Sequence, residues 1–246
     1  MKNSLVHLAD FQKVLKDYHV SERSKEILAS TKLMLLTGPT SSGRNTLVSA
    51  LVKTNDFHVI VSDTTRHPRV NDGVLEQNGV EYWFRTEEEV LTDLEQGKFL
   101  EAAIIHGQQV SGVSIRELDQ AHKEGKIAMT DIEIVGVDNI MKSSPHALAL
   151  FVIPPSFEEW QRRLRSRGQM NDDELRRRME SAALEFAAAL ERPYFIYVIN
   201  DTIEHAVEQV EALARFKMID KTKQDRARNI IEDLYKKSQQ LLSTLE

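Results

Sequence analysis

The sequence predicts an α/β fold in which helices cover a parallel sheet core as a three-layer sandwich. Apolar strand-like runs alternate with amphipathic helical patterns along most of the chain. A glycine-bounded loop also joins one buried strand to a helix, which is typical of a phosphate-binding loop. The strand-like runs lie at 32–37, 57–62, 127–132, 147–153 and 195–199, and the clearest helical patterns at Glu87–Glu95, Ser114–Lys123 and Asp173–Leu190.

Amphipathic segments flank this pattern at both ends of the chain. Residues 1–31 carry apolar side chains at helical spacing and predict an N-terminal helical extension. After a helix predicted at 202–217, residues 218–246 predict a C-terminal helical extension. These terminal helices could pack on the main domain or on a second copy in a homo-oligomer, and the sequence leaves both arrangements open.

The segment 64–113 interrupts the alternation of strands and helices. It is rich in proline, asparagine, aspartate and glycine, and its strand candidates, Glu81–Phe84 and Ala103–Val110, are short. We therefore predict a small mixed insertion here. His106, within the second candidate, is expected to be a strand residue rather than a catalytic one.

The composition restricts the classes of function and site. The 246 residues suffice for one nucleotide-sized domain with appendages. A formal net charge of -6 argues against a nucleic-acid partner, and the absence of cysteine excludes disulfides, thiolate metal sites and cysteine nucleophiles. Without a signal-peptide pattern or an apolar run of roughly 18 residues, we expect a cytoplasmic protein with no membrane partner.

The loop at 38–46 has the glycine spacing of a phosphate-binding loop but unusual side chains. The common pattern, G-x-x-x-x-G-K-[ST], has a lysine and a hydroxyl after the second glycine, whereas Arg44 and Asn45 follow Gly43 here. Phosphate binding can survive this change because backbone N–H groups supply most of the contacts. The candidate phosphate-binding residues are Gly38, Pro39, Thr40, Ser41, Ser42, Gly43, Arg44, Asn45 and Thr46.

The side chains after Gly43 still offer a positive charge and oxygen atoms. Arg44 keeps the positive charge of the lysine, although its planar fork is bulkier. Either Asn45 or Thr46 could offer an oxygen to Mg²⁺. The structural alternative is an ordinary Gly-Pro turn that precedes a helix.

Two further clusters suit phosphate and metal chemistry. Arg66 and Arg69 follow a strand beside hydroxyl residues, and their guanidinium forks match phosphate oxygens, although a solvated turn would have the same composition. Asp131 and Glu133 close a strand that is predicted to be buried. Either carboxylate could support hydrated Mg²⁺ through water, or could serve as the acid at the start of the next helix.

Eight segments, in order and approximate spacing, resemble those of guanylate kinases. The similarity covers about residues 32–217. It implies transfer of the ATP γ-phosphate to GMP in purine nucleotide metabolism, with ATP and GMP as ligands and Mg²⁺ between the nucleotide phosphates. The segments are GPTSSGRNTL, VSDTTRHPR, GVEYWF, GKFLEAAIIHG, TDIEIVG, LRSRG, LRRRMESAALEF and VIND.

The resemblance also assigns roles to individual residues. Glu101 would set specificity, since a carboxylate accepts from the adjacent N1–H and N2–H donors of guanine. The family positions that hold the GMP phosphate are Arg66, Arg69 and Tyr82; those that read guanine are Ser62, Glu101 and Asp131; the catalytic charges are Arg44 and the lid arginines Arg163, Arg167 and Arg178; and Asn200 lies near adenine.

The predicted organisation is a guanylate-kinase-like P-loop domain between two helical extensions. The core spans 32–63 and 114–217, the GMP-binding insertion about 64–113 and the helical lid about 162–178. The predicted function is that of a guanylate kinase. Because Arg44 and Asn45 depart from the usual loop, a catalytically weak or inactive module that binds a protein partner at the GMP site stays the alternative.

Overall fold

The computed structural model describes residues 4–71, 73–166 and 171–244. These residues form two compact units. The first unit takes its described residues from 1–33, 57–130 and 139–145, and the second from 34–56, 131–138 and 146–246.

The order of elements confirms the α/β prediction. The helices are α1 (Leu8–Lys16), α2 (Glu22–Ser30), α3 (Arg44–Val52), α4 (Glu87–Glu95), α5 (Ile115–Lys123), α6 (Ile134–Ser143), α7 (Phe157–Arg165), α8 (Asp172–Glu191), α9 (Ile203–Phe216) and α10 (Lys221–Thr244). The strands are β1 (Leu33–Thr37), β2 (Phe57–Val59), β3 (Asp63–Thr64), β4 (Val70–Asn71), β5 (Val74–Leu75), β6 (Trp83–Phe84), β7 (Phe99–Ile105), β8 (Gln109–Ser114), β9 (Ile127–Asp131), β10 (Leu148–Ile153) and β11 (Phe195–Ile199).

Parallel strands form the centre of the second unit, in the order β11-β10-β1. All residues of β1 are buried, as expected for a parallel strand with helices on both faces. The ring of Phe151 on β10 contacts Phe186 of α8 with centroids 6.3 Å apart, and Phe186 contacts Trp160 of α7 at 5.5 Å. This apolar packing fixes the strand ends that lead into the loop at 38–46.

The C-terminal helix α10 packs on α8 and β11 of the same chain. Its Ile231 and Leu234 are fully buried. Gln224 accepts a hydrogen bond from the Tyr197 N–H at 2.8 Å and donates one to the Tyr197 carbonyl at 3.0 Å. Because an edge strand such as β11 leaves backbone groups without a strand partner, this side chain completes its hydrogen bonding.

The first unit contains a parallel pair and a small mixed sheet. Strands β2 and β9 are parallel, with Phe57 beside Ile127. The mixed sheet has the order β6-β3-β8-β7, in which β3 is parallel to β6 and both β3 and β7 are antiparallel to β8. Strands β4 and β5 form a separate hairpin. The prediction of a mixed insertion is thus confirmed.

The predictions for one strand, and for His106 within it, differ from the structure. The single strand predicted at Ala103–Val110 is wrong: the chain reverses between β7 and β8, and His106 lies in the turn rather than in a strand. His106 and Gly107 have φ of 51° and 69°, the left-handed backbone that a tight turn needs and that apolar periodicity does not reveal. The N-terminal extension consists of two helices, α1 and α2.

Candidate active site

The loop between β1 and α3 requires glycine at both ends. Gly38 and Gly43 have φ of 142° and 94°. A Cβ atom at Gly38 would lie 2.3 Å from the Val152 carbonyl oxygen, and one at Gly43 would lie 2.2 Å from Asn200 Nδ2. Because any side chain would collide at these points, the two glycines let the loop pass close to β10 and to Asn200.

Two serine hydroxyls in this loop are buried without a hydrogen-bond partner in the described chain. Ser41 is 7 % and Ser42 1 % exposed, and neither Oγ bonds to another protein atom. Buried polar atoms are seldom left unpaired. They lie just before the first turn of α3, where backbone N–H groups have no carbonyl partner within the helix, and such a position suits an anion such as phosphate.

Three hydrogen bonds to the loop backbone, and a fourth between two of the residues that make them, hold the loop in place. Asn200 Nδ2 donates to the Ser42 carbonyl at 2.9 Å, and Arg163 Nη1 donates to the same oxygen at 3.3 Å. Arg163 Nη2 also donates to the Asn200 carbonyl at 3.0 Å, while Trp160 Nε1 donates to the Thr40 carbonyl at 2.8 Å. Arg163 and Asn200 therefore contact the loop itself; their predicted contacts with ATP phosphates and adenine stay predictions.

A cavity of about 310 Å³ opens beside the loop. Thr46 faces it, whereas Asn45 is not among the residues that line it. The lining residues are Ser41, Gly43, Thr46, Arg163, Ser166, Asn200, Asp201 and Ile203. The residues around the cavity thus include Ser41, the cationic side chain of Arg163 and the hydroxyl residue Thr46.

Arg44 lies among carboxylates of the second unit. Its Nη1 is 3.2 Å from Asp131 Oδ1, and both side chains are less than one-third exposed. Burial raises the pKa of Asp131, and the charge of Arg44 opposes that rise. Burial also raises the pKa of Glu185 on α8, where the charge of Arg44 again acts against the rise and those of Glu133 and Asp131 add to it. Arg44 is thus a cation in an acidic environment beside the loop.

Arg178, another predicted lid arginine, does not line the cavity. Arg178 Nε donates to Glu174 Oε1 at 2.7 Å on the same helix. Arg167 lies outside the described residues, so its predicted role is not tested.

In the first unit, Arg66 is held by an acid that the sequence analysis did not single out. Its guanidinium makes a bidentate pair with Glu76, with Nη1–Oε2 at 2.5 Å and Nη2–Oε1 at 2.9 Å. The Arg69 N–H donates to the same carboxylate at 2.8 Å. These bonds, led by that with Arg66, lower the pKa of Glu76 to about 2. Glu76 therefore stays ionised and fixes Arg66.

The ring of Tyr82 covers the other side of Arg66. The guanidinium carbon lies 4.7 Å from the Tyr82 ring centroid and 5.5 Å from that of Phe84. Arg66 and Tyr82, which were predicted together, are thus neighbours. The Ser62 carbonyl accepts from the Trp83 N–H at 2.9 Å, which ties Ser62 to the strand that follows Tyr82.

Glu101 projects from β7 just after an irregularity in the strand. The register of β7 and β8 shifts between Phe99 and Glu101. Burial raises the pKa of Glu101 to about 7, and no hydrogen bond or ion pair of the described residues opposes it. A half-buried carboxyl in this state is ready to accept hydrogen bonds from a ligand.

The described residues contain no group of three or more histidine, aspartate or glutamate side chains arranged to hold a metal ion. None of their helices is both long and apolar enough to span a membrane.

The guanylate kinase family profile matches residues 30–216. The guanylate kinase of Trichormus variabilis is 37 % identical over 189 residues, which is 76 % of this chain and 92 % of that protein. The Synechococcus sp. guanylate kinase is 38 % identical over 183 residues, covering 74 % and 81 % of the two chains. The crystal structure of guanylate kinase from Anaplasma phagocytophilum superposes with a TM-score of 0.53 at 26 % identity, covering 82 % of this chain and 93 % of that one.

Proposed function

This chain belongs to the guanylate kinase family. We propose which of its residues bind ATP, which bind GMP and which stabilise the phosphate that is transferred. Its activity is ATP:GMP phosphotransfer, in which the γ-phosphate of ATP passes to GMP and leaves ADP and GDP. The observation that carries the residue assignment is the pair of buried, unpaired serine hydroxyls on the glycine-bounded loop.

At the ATP end, the loop and its cations receive the phosphates. The N–H groups at the N-terminus of α3 and the hydroxyls of Ser41 and Ser42 bind phosphate oxygens. Arg44 supplies the charge that a lysine usually provides and neutralises charge on the transferred group. Arg163 and Asn200 fix the loop from the side of the cavity, and the arginines of the lid, Arg167 and Arg178, close over ATP.

At the GMP end, Arg66, Arg69 and Tyr82 hold the phosphate. Glu76 supports this role because it orients the guanidinium of Arg66 and the backbone of Arg69 through one carboxylate. The unpaired carboxyl of Glu101 accepts from N1–H and N2–H of guanine, with Ser62 and Asp131 as further guanine contacts. Adenine lacks these adjacent donors, so Glu101 selects for guanine.

Magnesium fits the residues beside the loop. This ion is held in proteins by one or two carboxylates, water and substrate phosphates, and so needs no dedicated cluster of ligands. Thr46 offers a hydroxyl that faces the cavity, Asn45 is the alternative, and Asp131 or Glu133 would act through water. When bound, Mg²⁺ would neutralise phosphate charge.

The same proposal extends to organisation and location. We assign 1–31 and 218–246 as helical extensions of a catalytic domain at 32–217, with its GMP-binding insertion at about 64–113 and its lid at about 162–178. ATP and GMP are the proposed partners in the cytoplasm, without a membrane or nucleic acid. Self-association through the terminal helices stays a prediction.

The test is ADP formation from ATP and Mg²⁺ with GMP, AMP, CMP or UMP as acceptor. We expect turnover with GMP and little with the others. An Arg66→Ala preparation purified in the same way should lose it, which excludes a contaminating kinase. If GMP bound without any turnover, the alternative of a catalytically inactive module that binds a protein partner would replace this proposal.

A further inference from the structure

The N-terminal segment 4–31, which lies almost wholly outside the region matched by the family profile, packs against the strand that carries Glu101. A buried apolar cluster joins Leu5 and Phe11 of this segment to α4 and to the β7–β8 hairpin. Its members are Leu5, Phe11, Val90, Leu94, Phe99 and Val110. The segment is thus part of the packed core of the first unit.

One side chain of the segment bonds directly to the backbone of β7. The hydroxyl of Tyr18 donates to the Phe99 carbonyl oxygen at 2.6 Å and accepts from the Phe99 N–H at 2.8 Å. Burial raises the pKa of Tyr18 to about 12, so the hydroxyl keeps the proton that it donates. A single hydroxyl therefore serves both backbone groups of Phe99, as a neighbouring strand would.

Two further contacts hold the segment at the same place. The Ser21 N–H donates to the Gly97 carbonyl at 3.0 Å. Gly97 has a φ of 64°, and a Cβ atom there would lie 2.5 Å from the Ser21 nitrogen. The carboxylate of Glu87 also accepts from the N–H groups of Val6 and His7, at 3.1 and 2.8 Å. The segment is anchored both before and after Tyr18.

Strand β7 has two features that weaken it. It is the edge strand of the mixed sheet, so one side of its backbone has no strand partner. The register shift between Phe99 and Glu101 also interrupts its pairing with β8. Without support, this part of β7 would open locally more often than a central strand. Glu101 lies two residues beyond the point that Tyr18 contacts.

We propose that the N-terminal segment is a brace, meaning a packed segment that stabilises strand β7 and the guanine-reading Glu101 on it. Tyr18 is a positioning residue that holds Glu101 in place for GMP. This inference rests on the proposed role of Glu101. Small errors in the placement of a contact residue cost large factors in binding and rate. The brace should therefore act on GMP and leave ATP unaffected.

The experiment compares the full chain with Tyr18→Phe, which removes the hydroxyl and keeps the ring. We expect the KM for GMP to rise about fivefold or more, while the KM for ATP stays within about twofold. Hydrogen exchange of the amides at 97–103, followed without nucleotide, should be about tenfold faster. Tyr235→Phe is the matched control, because its hydroxyl accepts from Gln239 on α10, in the second unit.

The outcomes separate this inference from the proposed function. Unchanged exchange at 97–103, or equal changes in KM for GMP and ATP, would overturn the brace. Faster exchange with an unchanged KM for GMP would also overturn the role of Tyr18 in positioning Glu101. If the unaltered chain showed no GMP-dependent turnover, the proposed function would fail, and the exchange data with the calorimetric Kd for GMP would still decide on the brace.

Discussion

At the scale of single residues, the proposed ATP site contains a cation, Arg44, that differs from the usual lysine. Arg44 has a planar fork with several donors, so it can contact Asp131 and still present N–H groups to a phosphate. A lysine would offer a compact point charge instead. The ion pair with Asp131 orients Arg44, and under the proposed function this would let the loop bind phosphate with arginine in place of lysine.

Removing this cation should slow phosphoryl transfer. We expect Arg44→Ala to lower kcat by about 100-fold or more, because a charge that stabilises the transferring phosphate is lost. Arg228→Ala, which removes an arginine paired with Glu232 on α10, should change kcat by less than about twofold. Steady-state kinetics at saturating GMP would check this, and a near-normal kcat for Arg44→Ala would refute the role of Arg44.

Glu101, the residue proposed to read guanine, has a pKa raised by burial. Its pKa is about 7 in the unliganded protein, and only the ionised carboxylate accepts both guanine donors. We therefore predict that the affinity for GMP falls about tenfold for each pH unit below 7, and levels off above it. Glu101→Gln should bind GMP more weakly and lose this component, so the difference between the two calorimetric pH profiles isolates Glu101. Parallel profiles would contradict the assignment.

The same group should make stability depend on pH. The folded state raises the pKa of Glu101 from 4.5 to about 7, so the folded protein binds more protons than the unfolded chain in this range. Stability should therefore fall as the pH rises from 4.5 to 7. At pH 8, Glu101→Gln should be more stable than the parent by on the order of 2 kcal/mol, with little difference at pH 4.5. Urea unfolding would show an equal difference at both pH values if Glu101 were not responsible.

At the scale of elements, the sequence predicted what local chemistry determines. Helix α4 has the predicted bounds, Glu87–Glu95, because Thr86 and Glu89 form a capping box that fixes its start. The turn between β7 and β8 was missed because apolar residues on both sides resemble one strand. Glu76 and Glu185 were missed for another reason: Glu76 meets Arg66 only because the chain folds back through the β4–β5 hairpin, and Glu185 on α8 interacts with Arg44 on another helix, α3.

The backbone of the loop at 38–46 is tightly constrained at its two glycines. We expect Gly43→Ala to weaken ATP binding about tenfold or more, because its Cβ would displace Asn200 from the Ser42 carbonyl. Gly125→Ala is a matched control: it also has a positive φ, of 67°, but its Cβ would meet no atom within 4 Å. It should cost about 1 kcal/mol of stability and leave ATP binding intact. Equal losses of ATP affinity, measured by calorimetry, would mean that backbone strain alone matters.

At the scale of the whole molecule, both terminal extensions hydrogen-bond to the backbone of an edge strand in the same way. Tyr18 serves the backbone of Phe99 on edge strand β7, and Gln224 serves that of Tyr197 on edge strand β11. Each extension thus covers the edge of a sheet with one polar side chain and an apolar helix face. The sequence predicted these helices from their apolar spacing, but spacing does not identify the surface that a helix covers.

The C-terminal helix should therefore contribute to global stability. We expect Leu234→Ala to lower the free energy of unfolding by about 2–5 kcal/mol, since Leu234 is fully buried on α10. Leu184→Ala on α8 removes a side chain that is 73 % exposed and should cost less than about 0.5 kcal/mol. Chemical denaturation of both variants checks this, and similar small losses would mean that α10 is not firmly packed.

Phosphate transfer from ATP to GMP is tested most directly by following the γ-phosphate of labelled ATP in the presence of GMP and Mg²⁺. Separation of the products should show ADP and GDP in equal amounts, with the label in the β-phosphate of GDP. That result would establish that a loop with Arg44 and Asn45 supports transfer to GMP. Label released only as inorganic phosphate, or no reaction with GMP bound, would contradict the central claim that this chain is an ATP:GMP phosphotransferase.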